Sequence, residues 1–183
     1  MVEVRRLAIP DVIELSPRRF ADDRGFFVET WSEAGFASIG ISDHWVQDNH
    51  SMSRSRGVLR GLHLQVAPSA QAKLVRVSHG SIFDVAVDLR SGSPTRGQWV
   101  AATLSAEQGN QLYIPVGFAH GFVTLEPDCE VQYKASRPYD PVAERSIRFD
   151  DPAIAIDWPQ VGPLILSPRD AAAPLLADCE LGE

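Results

Sequence analysis

The sequence predicts an all-β protein built as a sandwich or barrel of short strands. Runs of about four to eight residues that alternate apolar and polar side chains dominate the chain. Thirteen glycines and 13 prolines are spread between these runs as turn residues. Helical signals are few, and the middle of the chain has no room for the crossover helix that a parallel α/β sheet needs.

Each strand is predicted from such an alternating run bounded by turn residues. In chain order, the predicted strands are Phe26–Trp31, Val46–Asn49, Val58–Val66, Ala72–Ser78, Ser81–Leu89, Gln98–Leu104, Gln111–Pro115 and Glu130–Ala135.

Short polar segments predict the turns and the few helices. Asp23-Arg24-Gly25 and Ser91–Pro94 predict turns, and His79-Gly80 predicts a hairpin between two strands. Short helices are expected at Ser32–Ile39 and from Ser167, where Pro168 would take the first helical position. The segment Ser105–Gln108 has capping-box spacing and predicts a single turn.

Length and charge narrow the class of protein. The 183 residues predict one domain over 1–183, with a looser segment from about residue 165. Seventeen basic and 24 acidic residues give a net charge of −7, which argues against a broad nucleic-acid or membrane surface. Two cysteines are too few for a disulfide framework, and no signal core or membrane span is present. We therefore expect a cytoplasmic protein that binds neither nucleic acid nor membrane.

Lysine is scarce in this chain. Only Lys73 and Lys134 occur, and Lys73 alternates with Val75 and Val77 on a predicted strand. A lysine there is either a solvated charge on an edge strand or a cation that faces a cavity. Its apolar neighbours favour the cavity.

Two histidines stand in separate motifs. Alternation places His63 and Gln65 on one face of their strand, where a histidine is either a core residue or a functional group. Further on, the segment Gly109-x5-Pro115-x-Gly117-x2-His120-Gly121 ends a strand and fixes the direction of His120. Together the two segments resemble the two-motif signature of the cupin superfamily, which implies a double-stranded β-helix, or jelly roll.

The departure from metal-binding cupins is chemically informative. Those proteins carry two histidines one residue apart, followed by a glutamate and a later third histidine. Here Gln65 replaces the second histidine, and no acidic residue follows before Lys73. Three or four N/O ligands are the usual minimum for a transition metal. We predict a pocket without metal or cofactor, in which Lys73 supplies the positive charge.

An ordered series of motifs makes the resemblance specific and covers nearly the whole chain. The chain resembles the dTDP-4-dehydrorhamnose 3,5-epimerase family in six segments: Asp22–Phe27, Val46–Asn49, Gly57–Gln65, Lys73–Val77, Phe83–Arg90 and Ile114–Phe122. The resemblance implies a cupin-like jelly roll with a few short peripheral helices, assembled as a homodimer. It also implies inversion of C3 and C5 in a dTDP-4-keto-6-deoxyhexose, without a cofactor, through an enolate next to the C4 ketone.

The same resemblance assigns the catalytic groups. His63 matches the general base, Asp170 the carboxylate that orients it, Tyr133 the acid on the opposite face, and Lys73 the partner of the enolate oxygen. Without the resemblance, Asp170 is equally a helix-capping carboxylate and Tyr133 a buried strand aromatic.

Further residues match substrate contacts of the family. Arg24 and Arg60 match phosphate-binding positions, and Tyr139 matches the residue that stacks on thymine. Arg169 stands where lysine is usual. The remaining matches are Glu29, Gln47, Asn49, His120 and Glu144. Because alternation puts Arg60 on the opposite face from His63, we expect a bulge or strong twist at Gly61.

Four other functions remain open at this stage. Within the family, a single-centre epimerase would invert only C3 or C5. A sugar-nucleotide ketoisomerase on a similar fold is disfavoured by the set Arg60, His63, Lys73, Tyr133 and Asp170. A non-catalytic sugar-binding jelly roll would bind without proton exchange. A metal-dependent dioxygenase is disfavoured by Gln65.

Overall fold

The computed structural model describes residues 2–181 and consists almost entirely of β-structure. Its strands are β1 Val2–Arg6, β2 Ile13–Pro17, β3 Arg19–Asp22, β4 Gly25–Val28, β5 Gln47–Ser53, β6 Leu59–Gln65, β7 Lys73–His79, β8 Ser81–Asp88, β9 Trp99–Ser105, β10 Gln111–Ile114, β11 Phe118–Thr124, β12 Cys129–Ala135 and β13 Glu144–Ser146. Two short helices, α1 Glu33–Ala37 and α2 Pro168–Ala171, and a 3₁₀ turn at Leu176–Asp178 complete it.

The strands form two antiparallel sheets and one separate hairpin. The first sheet has the order β1-β2-β10-β7-β12-β5, and the second has the order β13-β6-β11-β8-β9. Between them lies an apolar core that includes Val75 and Val131 from the first sheet and Ile82, Leu104 and Phe122 from the second. This arrangement confirms the predicted all-β jelly roll with short peripheral helices.

One turn prediction is wrong. His79-Gly80 does connect two strands, but β7 and β8 belong to different sheets and do not pair. The chain therefore crosses from one sheet to the other at Gly80, whose φ is +76°. A Cβ added there would lie 2.6 Å from Cys129 Sγ, so the corner needs glycine. A local turn signal does not reveal which strand the next segment will pair with.

The other predictions of turns and helix starts are confirmed. Asp23 and Arg24 connect β3 to its antiparallel partner β4, and residues 89–98 connect the paired strands β8 and β9. The helix α1 begins after Ser32. Ser105 starts a hydrogen-bonded turn, because its Oγ accepts from the Gln108 N–H at 3.1 Å.

The C-terminal segment contains little regular structure, yet it is anchored to the rest of the fold. Ile165 forms a β-bridge with Val58, and Asp170 and Ala173 are buried. At the start of α2, Ser167 Oγ accepts from the Asp170 N–H at 3.1 Å, and Pro168 follows directly. The part of the looser segment at 182–183 lies outside the described residues. Among residues 2–181, no helix is long and apolar enough to cross a membrane.

Candidate active site

A cavity of about 480 Å³ opens between the two sheets. His63 and His120 line it from the second sheet, and Lys73 and Tyr133 line it from the first. Asp170 closes one side from α2. The volume lies within the usual range for small-molecule sites. The structure therefore brings together the four predicted catalytic residues and His120.

A backbone irregularity brings Arg60 into the same cavity. In the pairing of β6 with β11, His63 is opposite His120, but Arg60 is opposite Phe122, so β6 contains one extra residue. Gly61 has a φ of +135°, and a Cβ there would lie 2.6 Å from the Cα of Gly121. The expected distortion at Gly61 is confirmed. Arg60 reaches the cavity and also donates to Ser53 Oγ at 3.2 Å.

His63 and Asp170 form a close pair. Nε2 of the imidazole lies 2.6 Å from Oδ1 of Asp170, and the carboxylate side chain is only 5% exposed. Burial disfavours the carboxylate, but the His63 hydrogen bond and charge outweigh burial and hold the pKa of Asp170 below its usual range. An ionised Asp170 keeps the imidazole proton on Nε2, which leaves Nδ1 as the basic nitrogen.

The opposite wall carries an amine and a phenol. Lys73 Nζ lies 5.8 Å from the centroid of the Tyr133 ring. Burial lowers the pKa of Lys73 to about 8, although the charges of Asp84 and Glu144 oppose that effect. Burial, together with the charge of Glu144, raises the pKa of Tyr133. Tyr133 is therefore protonated at neutral pH and able to donate a proton.

A second His–Asp pair includes a residue that sequence reasoning missed. His120 Nε2 lies 2.7 Å from Oδ1 of Asp84, which is fully buried on β8. Oδ2 of Asp84 is buried and has no hydrogen-bond partner among the described residues. Burial lowers the pKa of His120, and Asp84 opposes this shift. The available signal was an acidic residue inside the apolar run Phe83–Val87.

The predicted nucleotide contacts Tyr139, Glu144 and Arg169 form a chain beside the cavity. Tyr139 Oη donates to Glu144 Oε2 at 2.5 Å, and Arg169 Nη1 lies 2.8 Å from the same oxygen. Gln47 accepts from the Tyr139 N–H at 2.9 Å and donates to Asn49 Oδ1 at 2.9 Å. Of these residues, Arg169 lines the cavity itself.

The structure does not bring Arg24 and Glu29 to the cavity of the same chain. Arg24 lies on the exposed β3–β4 turn, where it pairs with Asp22 and its side chain is 90% exposed. Glu29 follows β4 and accepts from Ser32 Oγ at 2.7 Å. Neither residue lines the cavity that contains His63.

Gln65 makes no contact with the cavity histidines. Its amide binds the backbone of the neighbouring loops at Ser69, Pro138 and Asp140. Among residues 2–181, no three His, Cys, Asp or Glu side chains are grouped so that they could hold a metal ion. The metal-free pocket stays a prediction, which metal analysis of the purified protein can test.

These groups suit one class of chemistry. A substrate bound between the walls has a base on one face and a phenol on the other. The base can remove a proton from a carbon, and the phenol can return a proton to that carbon from the opposite face. A cation on the same wall as the phenol, such as the Lys73 ammonium, is able to stabilise an oxyanion formed in between. The site is therefore arranged for inversion at a carbon next to a carbonyl group.

Comparisons with known proteins agree with this reading. The family profile described as dTDP-4-dehydrorhamnose 3,5-epimerase matches residues 6–178. The dTDP-4-dehydrorhamnose 3,5-epimerase of Salmonella typhimurium strain LT2 is 53% identical over 184 residues, covering 100% of both chains.

Solved structures show the same likeness. The dTDP-6-deoxy-D-glucose-3,5-epimerase RmlC from Legionella pneumophila, in complex with dTDP-4-keto-L-rhamnose, has a TM-score of 0.93 and 46% identity, covering 97% of this chain and 94% of that one. The dTDP-4-dehydrorhamnose 3,5-epimerase from Bacillus anthracis, with TDP and PPi bound, has a TM-score of 0.93 and 44% identity, covering 96% and 100%. Fold and site thus define a jelly-roll carbohydrate epimerase. The chain belongs to the dTDP-4-dehydrorhamnose 3,5-epimerase family.

Proposed function

We propose that this protein converts dTDP-4-dehydro-6-deoxy-D-glucose to dTDP-4-dehydro-L-rhamnose by inverting C3 and C5, in dTDP-L-rhamnose biosynthesis. The observation that carries the proposal is the position of the His63–Asp170 pair and Tyr133 on opposite walls of one cavity. A double inversion next to a ketone needs such an opposed acid and base.

At each centre His63 Nδ1 removes the proton from carbon, and the electron pair of that C–H bond moves into the ring as the C4 oxygen becomes an enolate. The Lys73 ammonium stabilises this oxyanion. The phenol of Tyr133 then gives its proton to the same carbon from the other face. The resulting imidazolium and phenolate return to their starting states by proton exchange with water. The cycle runs once at C5 and once at C3.

Asp170 contributes by stabilising the imidazolium, because its low pKa keeps it anionic. His120, held by Asp84, contacts the sugar from the same wall as His63. Arg60 and Arg169 supply cationic forks for the diphosphate, and Tyr139 stacks on the thymine. Gln47, Asn49 and Glu144 complete the substrate contacts of this chain.

We propose a cytoplasmic homodimer in which the β3–β4 hairpin packs on a second copy and carries Arg24 and Glu29 to the partner's site. Phe20, Phe26 and Phe27 on this hairpin are 52%, 60% and 69% exposed, an unusual concentration of uncovered aromatic surface. Light scattering should give twice the mass of 20.1 kDa. Phe26→Ser with Phe27→Ser should yield monomers, and a wild-type monomer would contradict the assembly.

The deciding experiment is proton exchange in heavy water. The protein is incubated with dTDP-4-keto-6-deoxyglucose, followed by coupled reduction. Deuterium at both C3 and C5 with formation of the rhamnose derivative is expected. Incorporation at one carbon would select a single-centre epimerase, and binding without exchange would select a sugar-binding protein. Metal analysis and chelation of the same preparation should show no stoichiometric metal and no loss of activity.

Two variants test the proton-transfer roles. His63→Ala should abolish exchange at both carbons while binding of dTDP is largely kept, and retained deuterium uptake would refute the base assignment. Tyr133→Phe, which removes only the hydroxyl, should impair formation of the inverted product more than the initial exchange. Equal loss of both activities would count against Tyr133 as the acid.

A further inference from the structure

We propose that Gln65 is a positioning residue for nucleotide binding, because it fixes the loop that presents Tyr139. The inference rests on the proposed function, in which Tyr139 stacks on the base. Gln65 touches no substrate group in this assignment. It acts through the backbone on either side of Tyr139.

The contacts of Gln65 are all with loop backbone. Its Nε2 donates to the carbonyl oxygens of Ser69 at 2.7 Å and Pro138 at 3.2 Å. Its Oε1 accepts from the N–H of Asp140 at 2.7 Å. The side chain therefore binds the residues immediately before and after Tyr139, and connects them to the loop that follows β6.

Tyr139 depends on this backbone clamp because packing does not hold its ring. The residue is 54% exposed, so few neighbouring atoms restrict the side chain. Its backbone N–H donates to Gln47 Oε1, and its hydroxyl donates to Glu144 Oε2. If the segment from Pro138 to Asp140 were released, both hydrogen bonds would have to re-form each time a nucleotide binds, and ordering the segment would lower the affinity.

The chemistry of the position requires an amide. Gln65 is buried, at 7% exposure, and it faces carbonyl oxygens with one end and an N–H group with the other. Leucine would leave these three backbone groups without their partner, and glutamate would set a carboxylate against two carbonyl oxygens. Gln65 also lies two residues after His63 on β6, so the same strand carries the base and the clamp.

The test compares Gln65→Leu and Gln65→Glu with the wild type. We expect the affinity for dTDP, measured by calorimetry, to fall about tenfold in Gln65→Leu and at least as much in Gln65→Glu, which keeps the bond from Asp140 but sets a buried charge against two carbonyl oxygens. KM for the nucleotide sugar should rise by the same factor, while kcat should stay within about twofold. A fall in kcat with unchanged KM and unchanged dTDP affinity would overturn the proposal.

A double-mutant cycle separates positioning from general destabilisation. Gln65→Leu combined with Tyr139→Ala should bind dTDP no more weakly than Tyr139→Ala alone, because Gln65 acts through Tyr139. Additive losses would overturn the proposal. Asn110→Leu is the control, since Asn110 is also a buried amide away from the cavity, with bonds to backbone groups at Ser105 and Thr103 and to Glu14 Oε1. It should lower the melting temperature without changing dTDP affinity.

Calorimetry with dTDP tests the role of Gln65 independently of the proposed epimerase reaction. A wild-type protein that binds dTDP but shows no proton exchange would refute the epimerase assignment and leave the Gln65 effect measurable. Normal exchange in the wild type with unchanged dTDP affinity in both folded Gln65 variants would refute the clamp alone.

Discussion

Lys73 is expected to weaken the fold at neutral pH, because its ammonium is held in the cavity between the two sheets. Burial lowers its pKa from 10.5 to about 8, even though Asp84 and Glu144 favour the charged form. At about 1.4 kcal/mol for each pKa unit, the difference corresponds to a loss of about 3–4 kcal/mol in the free energy of unfolding.

Lys73→Met replaces the amine by an apolar chain of similar length. The free energy of unfolding at pH 7 should therefore rise by about 2–3 kcal/mol while epimerase activity is lost. Both the folded and the unfolded wild type carry the proton below pH 8, so the penalty is complete there. It decreases between about pH 8 and pH 10.5, where the folded state has lost the proton and the unfolded state progressively loses it. The advantage of the variant should disappear over that interval.

Urea unfolding at pH 7 and pH 10 measures this difference directly. Lys134→Met is the control, because Lys134 pairs with the exposed Asp48 at 3.0 Å and should contribute less than about 1 kcal/mol. A Lys73→Met protein that is less stable than the wild type at pH 7 would refute the reasoning. So would a stability difference that does not change between the two pH values.

Three further predictions concern the same cavity. The kcat/KM of the wild type should fall about tenfold for each pH unit above about 8, as Lys73 of the unliganded enzyme loses its proton. Lys73→Arg should show no such fall. A decrease of kcat/KM at alkaline pH in both proteins would contradict this. Asp84→Asn should shift that limb to lower pH, because the Asp84 charge raises the pKa of Lys73, and an unmoved limb would exclude the coupling. Gly61→Ala should lower the free energy of unfolding by about 3 kcal/mol and abolish activity, since a Cβ there would collide with Gly121. Gly92 has open space around it, so Gly92→Ala should lower the free energy of unfolding by less in the same urea titration.

The strand predictions found β4 to β10 and β12, including β8, seven of whose eight residues are buried. They missed β1, β2, β3 and β11. β2 does alternate, but it has only five residues and ends at Pro17, whereas all seven residues of β11 are buried and show no alternation to detect. β13 was also missed, since three half-buried residues provide too short a pattern. The wrong hairpin at His79-Gly80 has a different cause: pairing is decided by the whole sandwich, whereas the turn signal is local.

The site residues divide in the same way. His63, Lys73 and Tyr133 were proposed because each matches a residue to which the family assigns a chemical role. Asp84 and Gln65 also stand in motifs of the family, but their structural roles depend on contacts between distant strands and loops. The register partner of His120 on β8 is Ala86, so Asp84 reaches the imidazole diagonally, two residues along the strand.

The position of Arg60 shows how far strand alternation predicts the direction of a side chain. Strict alternation placed it on the face opposite to His63, so that either a bulge or a strong twist in β6 was needed to bring both side chains to one ligand. The structure has an extra residue in β6. Gly61, with a φ of +135°, lies at that extra residue. The conflict between alternation and the family motif therefore pointed to the irregularity at Gly61, which brings Arg60 to the cavity that contains His63 and Asp170.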